Sequence, residues 1–175
     1  MTSPLFVPTH IETSMIISMN EISKVYPNGS SQSDLINNLL LYKLKNSVGN
    51  KCIKEGFIEK DSIEIIHRTL GKVATKELKG NIRYNILYSA NVCHPVRGDV
   101  IKCKIVNINK MGILAENNPL SVVIARQHHP NKKIFSTLEI GDELDISIIG
   151  IRYNLFDYEI RAIGLLNNFE KNLEL

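Results

Sequence analysis

From Gly98 onward the chain is a succession of short apolar segments punctuated by glycine, and this pattern limits what it can fold into more than any other feature. The segments are "GDVIKCKIVNI" (98–108), "GILAE" (112–116), "LSVVIA" (120–125), "DELDISIIGIR" (142–152) and "DYEIRAIGLL" (157–166). Each has the alternation and β-branched content of a strand. The connections at 109–111 and 117–119 are short, and the one at 126–141 is long. Gly98, Gly112, Gly141, Gly150 and Gly164 sit where strands start, bend or close. Five strands in about 70 residues, with one long crossing between the third and fourth, predict a five-stranded OB barrel. "NNFEKNLEL" then reads as a polar tail.

The first half follows another pattern. "FVPTHIETSMIISMNEI" alternates in the β manner, with Ile11, Met15 and Ile17 on one face. Residues 26–33 form a loop by composition. A helix is predicted over 33–48: Ser33 caps it, Asp34 suits the dipole in its first turn, and Ile36, Leu40 and Leu44 recur every four residues. Gly49 is the expected stop. "KCIKEGFIEKDSIEIIHRTLG" reads as strands, with Gly56 at a bulge and Ile63 and Ile65 alternating. A Lys-rich loop or ragged hairpin end follows at 71–80, then a long strand with Ile82, Tyr84, Ile86 and Tyr88 on one face. The expected architecture is α+β: a small N-terminal domain (1–95) with one helix against an antiparallel sheet, and an all-β barrel (96–175). Pro95 to Gly98 is the junction.

The 175 residues suffice for two small cores, and a hydrophobic fraction of 43% is that of a globular chain. A net charge of +3 permits an anionic partner without demanding one. Three cysteines, Cys52, Cys93 and Cys103, have no CxxC spacing, which argues against a disulfide framework and for a reducing compartment. No apolar run reaches the ~18 residues of a membrane-spanning helix, and "MTSPLFVPTH" lacks the build of a secretory signal. Frequent Ile and Asn, with no Trp, point to an AT-rich genome.

"ARQHHP" (125–130) raises the question of chemistry. A metal needs three or four converging ligands, and neighbouring histidines on extended chain point to opposite sides. General acid–base work needs a pocket and a pKa-tuning partner. From the residues alone an exposed polar turn and a phosphate contact formed with Arg126, Lys132 and Lys133 both stay open. Cys93, His94 and Cys103 fit small buried hydrophobes better than ligands. Glu143 and Asp145 share a strand face with Asp142 nearby, which suits a solvent face better than a nuclease's metal cluster. There is no P-loop, nucleophile elbow or dinucleotide fingerprint, so neither catalysis nor a cofactor is expected.

"HPVRGDVIKCKIVNINKMGILAENNPLSVVIARQHHP" resembles the opening of the S-one-type OB domain in the stalk subunit of eukaryotic and archaeal RNA polymerases. That family comprises the seventh subunit of polymerase II and its archaeal counterpart. "HPVRGDV" is similar to its interdomain junction and "IRAIGLL" to its closing strand. Gly49, Cys52, Gly56, Phe57 and Ile58 match its G-x-C-x-x-x-G-Y/F-I/V strand. Similarity spans about 5–166. At the positions where RNA-binding S-one barrels place stacking aromatics, this chain carries Ile113, Leu114, Val122, Val123 and Ile124.

The resemblance implies a non-catalytic polymerase subunit, located in the nucleus or, if viral, in a cytoplasmic factory or the virion. Its partners would be the core subunits, a fourth-subunit-like stalk partner and nascent RNA, with no membrane. Docking would use the tip region, through Gly71, Lys72, Val73, Leu78 and Gly80. RNA would meet Lys102, Lys104, Lys110, Arg126, His128, His129, Lys132, Lys133 and Arg152. The rival reading is a stand-alone S-one-type RNA-binding module serving RNA decay or translation.

Overall fold

In the computed structural model, the structure describes residues 3–25, 32–74, 80–129, 135 and 137–167. The chain divides into two compact units, one of Pro8–Asn50 with Ile58–Val92, the other of Met1–Val7, Lys51–Phe57 and Cys93–Leu175. The expected α+β class with a closed five-stranded barrel is what the chain adopts.

The first unit is a sheet backed by helices. Strand β1 (Val7–Ile17) buries Ile11 and Ile17, the face that alternation assigns inward. Helix α1 (Met19–Val25) then replaces the continued strand that "IISMNEI" suggests. Its cause is a capping box. The Ser18 Oγ accepts from the Glu21 N–H at 3.3 Å, and the Glu21 carboxylate accepts from the Ser18 N–H at 2.9 Å. Helix α2 (Gln32–Val48) buries Leu40 and Leu44 on the predicted stripe. It starts at Gln32, so Ser33 lies inside the first turn and is not the cap. At the other end Asn50, not Gly49, takes the left-handed conformation, at φ 54°. Gly49 is needed for space instead, because a Cβ there would collide with the Lys45 carbonyl and lie 2.9 Å from Lys60 Cβ.

Lys43 ties the helices together, its Nζ 2.8 Å from Glu21 Oε1. That ammonium, with help from Ser18, holds the Glu21 carboxyl at about 2, below its ordinary 4.5. Stability from this pair is therefore fully present above pH 4.5 and lost as the pH falls from 4.5 towards 2. The Glu21 side chain is 38% exposed, so solvent screening keeps the contribution to about 1 kcal/mol or less. Acidification should cost the wild type more urea resistance than Lys43→Met; parallel losses would show that the pair contributes nothing.

The rest of this unit is β4 (Glu64–Arg68), β5 (Lys72–Val73) and β6 (Ile82–Cys93). Strand β6 pairs with β1, and also with β4 and β5 in antiparallel register. It buries Tyr84, Ile86, Tyr88, Ala90 and Val92, extending the predicted face.

The second unit holds a hairpin of β2 (Cys52–Ile53) and the start of β3 (Gly56–Ile58), with Cys52 opposite Phe57, while Ile58 falls in the first unit. Gly56 opens β3 at φ 133° after a tight turn and is not a bulge; the bulge lies between Ile65 and His67 of β4. Cys52 and Phe57 belong to the barrel's core cluster, and the Cys52 N–H donates to the Asp157 carbonyl at 2.7 Å. These contacts explain why Lys51–Phe57 groups with the barrel rather than with residues 1–95.

The barrel consists of β7 (Val100–Ile108), β8 (Gly112–Asn117), β9 (Leu120–Ala125), β10 (Glu143–Arg152) and β11 (Ile160–Leu166). It closes in the order β10-β11-β9-β8-β7, with β9 and β11 parallel and the remaining pairs antiparallel. Ile105, Ile113, Leu120, Val122, Ile124, Ile146, Ile148 and Ile160 fill its interior at 1% exposure or less. Among the described residues, no helix is long and apolar enough to cross a membrane.

Candidate nucleic-acid interface

Strand register sets what lies beside each predicted RNA contact. On the barrel's outer surface a polar row crosses all five strands: Glu143, Lys104, Glu116, Ser121, Arg161 and Arg152 follow one another as direct cross-strand neighbours. Lys104 therefore lies between two glutamates, and Lys102 lies opposite Asp145 with its Nζ 3.7 Å from Glu143 Oε2. Opposite charges at these spacings screen one another. Glu143 and Asp145 thus face lysines on a solvent-side ladder. The next row is largely apolar: Asn107, Leu114, Val123, Ile163 and Gly150. Val123 and Ile163 are about half exposed, at 49% and 47%. Of the aliphatic residues at the expected stacking positions, Ile113, Val122 and Ile124 point into the core, leaving Leu114 and Val123 on the surface.

The "ARQHHP" stretch is more structural than its sequence suggests. Arg126–His128 forms a 3₁₀ turn, so His128 is helical while His129, at φ −106° and ψ 130°, is extended, and the two do not share one stretch of extended chain. The His129 ring meets Phe135 edge-on with centroids 5.5 Å apart, and the Arg126 guanidinium sits 5.4 Å from the same ring's centroid. Phe135 is 4% exposed and belongs to the core cluster, so both polar groups pack over one end of the barrel interior. Lys110 is exposed on the β7–β8 turn, where the Asn109 carboxamide accepts from the Met111 and Gly112 N–H groups, both at 2.9 Å. Lys132 and Lys133 lie outside the described residues.

Two features near the β10–β11 connection were not singled out by sequence. Arg161 stands directly opposite Arg152, and Phe156 and Tyr158 project 59% and 73% exposed rings. Sequence shows these aromatics, but only the burial pattern shows that they face solvent.

In the other unit, Lys72 and Val73 are exposed on β5, opposite Arg83 and Ile82. A Cβ at Gly71 would lie 2.5 Å from Ile82 Cγ2 and 2.9 Å from the Tyr84 ring, so a side chain there would have to displace theirs. Gly80 adopts φ +68°, a conformation that favours glycine. Leu78 lies outside the described residues. Leu70 and Ile66, exposed at 86% and 51%, are further apolar surface of this unit that sequence reading did not assign.

Among the described residues, no cluster of His, Cys, Asp and Glu could hold a metal ion. Burial pushes the Cys52 and Cys103 thiols up to about 11 and Cys93 to about 12. Such thiols carry almost no thiolate at neutral pH. Iodoacetamide at about pH 8 should spare all three in the native protein and modify them in denaturant. Rapid native labelling, read by mass spectrometry, would contradict their burial.

No family model matches this chain. It is similar to a chain of Acanthamoeba polyphaga mimivirus named "Putative DNA-directed RNA polymerase subunit L376", 29% identical over 150 residues, covering 79% of this chain and 75% of that one. It is also similar to DNA-directed RNA polymerase II subunit rpb7 of Dictyostelium discoideum, 28% identical over 110 residues. That alignment covers 54% of this chain and 63% of the Dictyostelium protein, less than two thirds of its length.

Proposed function

We propose that this rpb7-like chain is a non-catalytic stalk subunit of a multisubunit DNA-directed RNA polymerase. The observation that carries the reading is the similarity to polymerase subunits from a virus and from a eukaryote, the viral alignment spanning 150 residues. A closed barrel of OB strand order and an α+β unit with an exposed tip are consistent with it. In this role the α+β unit docks on the core enzyme through its tip. Gly71 and Gly80 shape the backbone there, and Lys72 and Val73, with Leu70, present the contact surface. Leu78 belongs to the same proposed surface. A fourth-subunit-like partner would bind alongside. The barrel guides emerging RNA, and because it lies outside the chemistry the chain needs no active site of its own. The setting is a nuclear or a viral transcription complex.

Among the cations assigned to RNA, Lys110, Arg126 and Arg152 remain the stronger candidates, with His128, His129, Lys132 and Lys133 near Arg126 in sequence. Lys102 and Lys104 contribute less, because their acidic neighbours offset them. Affinity purification of the tagged chain from its native source is the test. Large polymerase subunits should come with it in stoichiometric amount, and their absence would overturn the proposal.

A further inference from the structure

Arg152 and Arg161 form a like-charged cross-strand pair, an arrangement that costs stability unless something anionic meets it. Arg161 is partly offset by Glu159, which accepts from its Nε at 2.7 Å and fixes the plane of the guanidinium. Arg152 is exposed and has no hydrogen-bond or ion-pair partner among the described residues. Beside the two arginines is a depression of about 340 Å³, walled by Val123 and Ile163. Its floor is Gly150, at the β10 bulge, where an added Cβ would meet nothing within 4 Å. Neither packing nor an unusual φ demands glycine there, so the space it leaves is open to a ligand.

The chain that continues from Arg152 adds flat rings on a fixed support. The Phe156 N–H donates to the Cys52 carbonyl at 2.7 Å, and the Cys52 N–H donates to the Asp157 carbonyl at 2.7 Å. The Asn154 N–H donates to Asp157 Oδ2, also at 2.7 Å. Phe156 takes φ 69°, a strained conformation for a non-glycine residue, in a loop held on both sides by backbone bonds. That loop nevertheless leaves the Phe156 and Tyr158 rings in water. An unpaired cation at Arg152 beside a second, partly offset one at Arg161, an apolar slot and exposed π-faces are the elements that hold the phosphate and base of a single-stranded nucleotide.

We infer that single-stranded RNA crosses the barrel over β9, β11 and β10, with a phosphate on Arg152 and Arg161, a base against Val123, Gly150 and Ile163, and further bases on Phe156 and Tyr158. The stacking rings thus stand on the β10–β11 loop rather than on the second and third barrel strands. This rests on the proposed contact with emerging RNA.

The test is binding of a labelled oligouridylate of about 12 nucleotides to the full chain across a salt series. Gly150→Leu, whose Cβ would meet nothing within 4 Å and whose side chain would occupy the slot, and the Tyr158→Ala and Phe156→Ala pair should each weaken binding about tenfold. Arg152→Gln should weaken it and lower the salt slope by about 1. If the wild type binds and Gly150→Leu and Arg152→Gln both leave affinity and slope unchanged, this path is wrong. The RNA reading would then stand, and this face would be left to a protein partner. If the wild type binds no oligonucleotide at micromolar concentration, the RNA reading itself fails, and this inference with it.

Discussion

Replacing Phe135 by Ala should cost the barrel about 3–5 kcal/mol, the usual range for deleting a buried aromatic ring. Phe135 is 4% exposed and packs with the core cluster, while His129 and Arg126 lie against its ring at 5.5 and 5.4 Å. Its loss leaves a void and strips both polar groups of the surface they cover. His129→Ala, by contrast, removes one edge-to-face contact and should cost about 0.5–1.5 kcal/mol. Urea titrations followed by amide signals from β7 to β11 would measure both. A loss below about 1 kcal/mol for Phe135→Ala would mean that the ring is not a core residue and that the polar stretch beside it is free to do other work.

Gly112→Ala should destabilise the same barrel by about 1–3 kcal/mol, although it adds a single methyl group. That methyl would collide with the Ile124 carbonyl and lie 3.2 Å from Ala125 Cα, both on the neighbouring strand. Backbone cannot step aside as a flexible side chain can, so β8 and β9 must separate where Gly112 pairs with Ala125. The Asn109 turn, whose carboxamide accepts from the Gly112 N–H at 2.9 Å, would be strained with it. Gly150→Ala is the control. Its Cβ enters open space, and stability should change by no more than about 0.5 kcal/mol. Equal losses at the two glycines would remove the argument that Gly112 is kept for close approach.

The barrel strands and α2 were legible because each carries a long, regular signal: alternation from Val100 to Ile108, and Ile36, Leu40 and Leu44 at helical spacing. Helix α1 was not, although "SMNE" spells its capping box, because Ile16, Ile17, Met19 and Ile22 around it also suit a strand. Seven residues make a weak helix alone. Its salt bridge to Lys43, 22 residues further on, is a tertiary contact that no local pattern announces. Lys102 and Lys104 stand on an outer face, but their acidic neighbours come from β8 and β10 through register, which no local pattern announces. The same holds for Arg152 and Arg161, separated in sequence yet adjacent across a hairpin. Phe156 and Tyr158 could be read in "NLFDYE", but a short loop gives no period from which to tell a core ring from an exposed one.

Every strand of the barrel is hydrogen-bonded on both sides, since β7 and β10 close the circle. Among the described residues it therefore offers no strand with a wholly open backbone edge onto which another chain could add. Whatever meets this unit must recognise it by side chains, and those on the outer surface contribute little to the packed interior. Recognition and folding are thus written in separate sets of positions along the same strands. Exchanging Val123 or Ile163 for a polar residue would change what the surface attracts while Val122, Ile124 and Ala162 hold the scaffold unchanged. A lineage could retarget such a barrel by a few outward substitutions without passing through an unfolded intermediate sequence.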